Sequence, residues 1–312
     1  MTNLNTLKID IREDYLSKKG KLLEILLQDK TTSKNIVWAT DSYEAMGKMF
    51  SPESHITIDL ITGIHGNLIQ PRSLKSKEEQ IYRTRDKAEV FTPLFIVNQM
   101  NQAIDKIRVS KSNWQKYVAL LKLEITCGEA PYIVSRYDPV SDEQELLPLS
   151  KRVGFLDLKL KIISKYCNTE KEWLLWTKVA FQSSYGYEWQ GDSLLIAREN
   201  LLYTFIDYYK DKFKKLPNLK LQEEIAEIIV WNIFQMDGLK YVTPMSCKNE
   251  KIITKGKETL FGKENDSIID KPCKGCETKT AKNHNGVYVK IMDWVKGKPI
   301  KFVDILSKSI II

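Results

Sequence analysis

The sequence predicts an α/β fold: a mostly parallel sheet with helices on both faces, between a mixed N-terminal region and a small C-terminal cysteine-containing segment. Two observations carry this reading. From residue 92 onward, short apolar runs alternate with longer stretches of helical period, the pattern of βαβ units. Several of the short runs also end in an acidic residue, at the carboxyl ends of strands where such sheets bind ligands. The composition agrees, since 312 residues can bury a sizeable core, and 43% hydrophobic with 28% charged residues is ordinary for a soluble globular protein.

Taken in order, EDYLSKKGKLLEILLQ (13–28) has apolar positions at helical spacing. NIVWAT (35–40) and HITIDLITG (55–63) read as strands, followed by a turn at His65-Gly66-Asn67. Residues 72–87 are polar and doubly charged, a solvated loop and helix face; Arg83, Arg85 and Lys87 offer phosphate contacts as the sharper alternative. Thr92 is expected to cap a helix that Pro93 opens and that runs to 107. YVALLKLEIT (117–126) reads as a buried strand. Helices follow at 155–166 and 172–184, a short strand at 185–189, a long helix at 192–213, and a helix running into a strand over 221–235. The resulting organisation is an N-terminal accessory region (1–85), a central α/β domain (86–245) and a C-terminal segment (246–312).

The formal net charge is +8, which favours a polyanionic partner such as DNA. The N-terminus has no apolar run after its basic residues, so it is not read as a signal peptide, and no stretch approaches the ~20 apolar residues of a membrane helix. Five irregularly spaced cysteines fit a reducing cytoplasm better than a disulfide framework.

Four segments carry chemistry. Glu89-Val90-Phe91-Thr92-Pro93 leads into a helix N-terminus suited to a carboxylate. Lys122-Leu123-Glu124-Ile125-Thr126-Cys127-Gly128 is an apolar strand, an acidic residue and a turn whose glycine allows close approach of a ligand. Tyr187-Glu188-Trp189 places a carboxylate at a strand end, where it can accept from the vicinal hydroxyls of a ribose. Asn232 to Leu239 places Asp237 before a glycine turn, able to accept from an exocyclic amine. Each also fits an ordinary turn or a surface acid.

Together and in this order, Phe91-Thr92-Pro93, Glu124 with Cys127-Gly128, Glu188 and Asp237 resemble the adenine-N6 amino-methyltransferases of bacterial restriction–modification systems. The stretch GYEWQGDSLLIARENLL resembles the second-strand region of that family, where a helix containing Ala-Arg-x-Asn follows. The resemblance covers about 85–245 and extends to modification (M) subunits over the full chain. It implies a Rossmann-like sheet that binds S-adenosylmethionine (SAM). Phe91, Thr92 and Pro93 would line the methionine end, Glu124, Cys127 and Gly128 would form the turn beneath it, Glu188 would hold the ribose and Asp237 the adenine amine. Tyr187, Trp189 and Phe234 can supply ring contacts or core packing.

The chain departs from this family at three places. Glu129-Ala130-Pro131 replaces the second glycine of the turn. The 124-to-188 spacing between the first two strands implies an insertion around 136–175. No Pro-Pro pair occurs, so the Asn-Pro-Pro-aromatic loop that the family uses to hold a flipped base is missing. The expectation is a split DNA adenine-N6 methyltransferase whose partner chain supplies that loop, so no catalytic residue is assigned here. The alternative is an inactive DNA-binding or specificity module with a relict methyltransferase fold. A nuclease half built on Asp59, Lys77, Glu78 and Glu79 is a weaker third reading. Separately, Cys273-Lys274-Gly275-Cys276, with Cys247 upstream and His284 downstream, has the donor types of a structural zinc site, or is a reduced pair in a loop.

Overall fold

A computed structural model describes residue 16 and residues 21–86, 89–105, 109–141, 145–254, 258–259, 262–263 and 267–306. It is mixed α/β, centred on three short strands: β1 (Lys122–Glu124), β2 (Ser184–Glu188) and β3 (Ile233–Gln235). All pairing is parallel, in the order β1-β2-β3, with Leu123 opposite Tyr185 and Tyr187 opposite Phe234. Parallel neighbours require crossovers, and helices provide them. The helices that frame the sheet are α1 (Leu22–Leu27), α2 (Lys77–Asp86), α3 (Leu94–Ile104), α4 (Phe155–Tyr166), α5 (Glu170–Gln182), α6 (Gly191–Phe213) and α7 (Leu219–Asn232). The β1–β2 crossover contains α4 and α5, and the β2–β3 crossover contains α6 and α7.

Local chemistry fixes several boundaries. Thr169 Oγ1 accepts from the N–H of Glu172 to cap α5, and Asn218 Oδ1 accepts from that of Leu221 to cap α7. Lys214 ends α6 in the left-handed conformation. Buried residues occur all round the first half of α6, so this helix is an internal axle rather than a surface stave. One hydrophobic cluster joins Leu22, Leu26 and Trp38 to Phe181, Leu194, Phe205 and Ile229. The N-terminal residues thus pack into the core that supports the sheet.

Two buried basic side chains brace this core. The Lys159 ammonium donates to Leu120 O at 2.7 Å and to Ser183 Oγ at 2.8 Å, tying the entries to β1 and β2 together. Burial drives its pKa well below the ordinary lysine range. Arg198 Nε donates to Ile233 O at 2.8 Å, and its Nη1 donates to Leu26 O and Gln28 O at 2.5 and 2.9 Å. One guanidinium therefore joins α6, α1 and the start of β3. Burial lowers it to about 10, still charged at neutral pH.

Beyond β3 the chain forms a ribbon of β4 (Glu250–Thr254) with β5 (Ser267–Lys271), a short helix α8 (Lys274–Thr278), and a hairpin of β6 (Lys290–Asp293) with β7 (Lys298–Lys301). A second cluster, Tyr187, Phe234, Met236, Val289, Ile291 and Phe302, fastens that hairpin to β2 and β3.

Several sequence expectations are corrected. The 35–40 segment is extended only at Lys34–Asn35 and at a single bridge from Val37 to His55. The 55–63 segment is not a strand: 3-10 turns occupy Ile58–Leu60 and Gly63–His65, and Gly63 adopts a φ of +63° that no strand tolerates. The 117–126 run divides into a helical turn at Trp114–Val118 and the brief β1, because a short apolar run fits either element when buried. The α3 cap position falls on Pro93 rather than Thr92. The 136–175 stretch, expected as an insertion, contains α4 and the start of α5, which belong to the crossover. The helices expected at 155–166 and 192–213 form within two residues of their expected ends, and the helix expected to run into a strand over 221–235 does so as α7 and β3.

Replacing Arg198 by Met leaves three buried carbonyls without their donor, each costing about 1–3 kcal/mol. We expect urea unfolding of Arg198→Met to show a loss of roughly 3 kcal/mol or more. A change within about 0.5 kcal/mol, the range of ordinary surface substitutions, would show that the guanidinium is not a brace.

Candidate small-molecule site and metal cluster

A cavity of about 460 Å³ opens at the carboxyl ends of β1 and β2. Its lining includes Phe91, Thr92, Glu124, Cys127, Gly128 and Glu188, six of the eight residues singled out for a cofactor. The other two lie apart from it. Pro93 caps α3. Asp237 accepts from the N–H groups of Leu239 and Lys240, closing its own turn after β3.

The floor is the loop after β1. Thr126, Gly128 and Ala130 have φ values of +46°, +52° and +63°, so three of five successive residues are left-handed. Ala130, in the Glu129-Ala130-Pro131 stretch, adopts the left-handed conformation that glycine takes most readily. Two glutamates hold this loop. Glu188 Oε2 accepts from Gly128 N at 2.8 Å, while its Oε1 accepts from Trp189 N at 2.9 Å and Gln190 N at 3.2 Å. Glu124 accepts from Ile133 N at 3.0 Å and Tyr132 N at 3.3 Å. Gly186 on β2 leaves room for the loop, because a Cβ there would lie 2.9 Å from Ile133 Cδ1 and 3.3 Å from Cys127 Sγ.

The walls come from distant parts of the chain. Arg83 donates to Asp192 Oδ2 at 3.1 Å, to Glu89 Oε1 at 3.0 Å and to the Tyr43 hydroxyl at 2.9 Å. This buried network fixes the start of α6 against the irregular segment that carries Glu89, Phe91 and Thr92. Arg83 is 3% exposed, so it is a brace and not the phosphate contact of the sharper sequence reading. Arg85 is exposed, and Lys87 lies outside the described residues. Arg72 lies over the Phe91 ring at 4.9 Å, and its N–H donates to Glu129 Oε1. Trp189 lines the cavity, anchored by donation from Nε1 to Ala39 O at 2.8 Å.

Electrostatically the site is acidic. Glu89, Glu124 and Glu188 line it, and among the described residues no Lys or Arg does. Burial raises the Glu124 carboxyl well above its ordinary 4.5, with Glu188 adding to the effect and two backbone N–H bonds opposing it. Burial likewise raises Glu188 despite its three N–H donors. Burial is the largest influence on Asp192 and would raise it, but the charges of Arg83 and Lys75 and the hydrogen bonds from Tyr43 and Ser193 N–H together hold that carboxyl low.

Glu89, Val90, Thr126, Pro131, Tyr132, Gln190 and Ser193 also line it, and none of them was given a part in cofactor binding from sequence. Gln190 had a local signal in its position two residues after Glu188. Arg83 had none, because its partners lie up to 109 residues away.

The C-terminal cysteines also converge. Cys247, Cys273, Cys276 and His284 present ligand atoms that all lie within 4.8 Å of one another, a cluster able to hold a metal ion. Two glycines allow this. A Cβ on Gly275 would lie 2.5 Å from His284 N, and one on Gly286 would lie 2.9 Å from Cys247 N.

Comparison with known protein families, characterised proteins and solved structures gives no match for this chain. The site must be read from its own chemistry.

The raised carboxyls give a pH test. Carboxyls with a folded pKa above the unfolded one contribute stability that is full below the unfolded value and is lost as pH rises through the folded value. Stability should therefore fall as pH climbs above the ordinary 4.5 of Glu124 and Glu188. Glu188→Gln should flatten part of that slope in pH-dependent urea melts. An unchanged slope would show that Glu188 does not carry a raised pKa.

Proposed function

We propose that this chain is the SAM-binding part of a DNA adenine-N6 methyltransferase whose catalytic loop comes from a partner chain. The observation that carries the reading is the convergence of Phe91, Thr92, Glu124, Cys127, Gly128 and Glu188 on one cavity at the carboxyl ends of parallel strands. The strand order supports it too. β3-β2-β1 corresponds to one half of a doubly wound, Rossmann-like sheet, in which the fourth strand lies beside the first.

The donor set fits the cofactor. A cavity of about 460 Å³ lies in the range of small-molecule sites, about 300–1,000 Å³. Three carboxyls, and among the described residues no basic side chain, disfavour a phosphate-bearing nucleotide and suit a cationic sulfonium with hydroxyl donors. Gln190 Oε1 is buried without a hydrogen-bond partner, an acceptor available to such a donor. Glu188 and Gln190 would hold the ribose hydroxyls, Phe91 and Thr92 would flank the amino-acid end, and Gly128 would let the ligand approach the backbone. When bound, the cofactor supplies an electrophilic methyl group. The protein's contribution is to orient it and shield it from water.

The partner requirement rests on two observations. The sequence has no Pro-Pro pair for the base-holding loop. Among the described residues no strand pairs with the outer side of β1, where Leu121, Leu123 and Ile125 are exposed. A partner strand added there would bring its following loop to the rim of the cavity. DNA is the substrate in this reading, and the net charge of +8 is compatible with it.

One observation favours the alternative of an inactive DNA-binding module. Both Glu188 oxygens already accept backbone N–H groups, as they would in a loop that has become purely structural. Calorimetric titration with SAM separates the two. We expect micromolar binding, weakened at least tenfold (about 1.4 kcal/mol) in Glu188→Ala, and no methylation of DNA by the isolated chain. Absence of binding favours the inactive module, and methylation by the chain alone removes the need for a partner.

A pH series adds a second check. A cation bound beside Glu188 favours its ionised form, so binding should release protons and tighten as pH rises above 4.5. Titrations in buffers of different ionisation enthalpy would detect this release. Identical heats in all buffers would argue against a cation beside Glu188.

A further inference from the structure

We infer that Cys247, Cys273, Cys276 and His284 bind one structural Zn²⁺ ion, which clasps the base of the β4–β5 ribbon to the body of the protein. The separations are those of a tetrahedral shell. With Zn–S of about 2.3 Å and Zn–N of about 2.0–2.1 Å, tetrahedral geometry places sulfurs about 3.8 Å apart and a sulfur and nitrogen about 3.6 Å apart. Here Cys247 Sγ lies 3.4 Å from Cys273 Sγ and 3.8 Å from Cys276 Sγ. His284 Nδ1 lies 3.7, 3.6 and 3.7 Å from the sulfurs of Cys247, Cys273 and Cys276. All four donors thus face a common centre.

Three thiolates and an imidazole are the soft and borderline donors that select zinc over magnesium or calcium. Four protein ligands leave no open position, so the ion is structural and activates no water. The surroundings hold the ligand loops in place. The Asn285 side chain accepts from Lys248 N at 3.2 Å and donates to Lys248 O at 2.8 Å, joining the Cys247 loop to the His284 loop. His284 N donates to the Tyr288 hydroxyl, which in turn donates to Ala281 O.

The site answers a mechanical need. Cys247 precedes β4, and Cys273 follows β5. An isolated two-stranded ribbon is marginal in water, and Ile252, Ile253, Ile268 and Ile269 of this one are exposed rather than packed. An ion ligated by the segments that flank both strands at the base of the ribbon supplies the closure that its own side chains do not. This inference is independent of the cofactor cavity and stands whether or not SAM binds.

The test is metal analysis of the full chain purified without chelator, followed by replacement with Co²⁺ as a visible probe. We expect one zinc per chain and, with cobalt, the intense visible bands of a tetrahedral thiolate complex. Cys276→Ser and His284→Ala should lose the metal or weaken it by at least tenfold, while Cys167→Ala, at a buried cysteine outside the cluster, should retain it. Because the wild-type chain alone gives the stoichiometry, a variant that fails to fold does not decide the outcome. Metal-free protein that takes up no cobalt, the weak bands of an octahedral complex, or a Cys247–Cys273 disulfide found by mass spectrometry would each overturn the inference.

Discussion

The structure depends on a charge placed where charges are expensive. Arg198 is fully buried; its Nε and Nη1 donate to the main-chain carbonyls of Ile233, Leu26 and Gln28, while its Nη2 has no hydrogen-bond partner among the described residues. Burying an unpaired cation would cost several kcal/mol, so those carbonyls must sit within hydrogen-bond reach. This requirement fixes α1 and the entry to β3 against α6. Other contacts of α6 follow from that placement. Asp192 at its start receives Arg83, and Asn200 Nδ2 donates to Glu129 O and to the Tyr137 hydroxyl, holding the chain just past the β1 turn. One helix therefore positions the N-terminal region, the sheet and two walls of the cavity.

The cavity floor shows how positioning is shared between backbone and side chains. Left-handed residues at 126, 128 and 130 turn the loop sharply, and two of them are not glycine. Such conformations persist only where the surroundings over-determine them. Glu188 and Glu124 do this by accepting the loop's N–H groups from beneath. In both, the desolvation penalty on the carboxylate exceeds what the hydrogen bonds return.

Much of this was legible in the sequence, and the rest was not for identifiable reasons. Helices such as α4 and α6 were readable because their apolar period and length are unambiguous. The acidic residues at strand ends were readable because parallel sheets put ligands there, and Glu124 and Glu188 do line the cavity. The four metal-ligand types and positions were readable from one C-x-x-C and its neighbours, and they converge. Segments 35–40 and 55–63 misled because short apolar runs with β-branched residues also suit buried turns. Asp237 has the local pattern of Glu188 but spends its oxygens on its own turn. The structural role of Arg83 was hidden because nothing within ten residues of it in sequence announces Tyr43 or Asp192.

The reach of the Arg198 contacts also bears on how the chain acquires its structure. Its bond to Leu26 spans 172 residues, the Tyr43–Asp192 bond spans 149, and Gln235 meets Val37 across 198. A polypeptide growing from its N-terminus must therefore carry Leu22, Leu23, Leu26 and Leu27 without their partners on α6 and α7 until those helices, far later in the chain, have been made. Long-range closure of this kind slows folding and prolongs the exposure of apolar surface. The helix α1 is in this sense a late arrival to the fold although it is made before the elements it packs against.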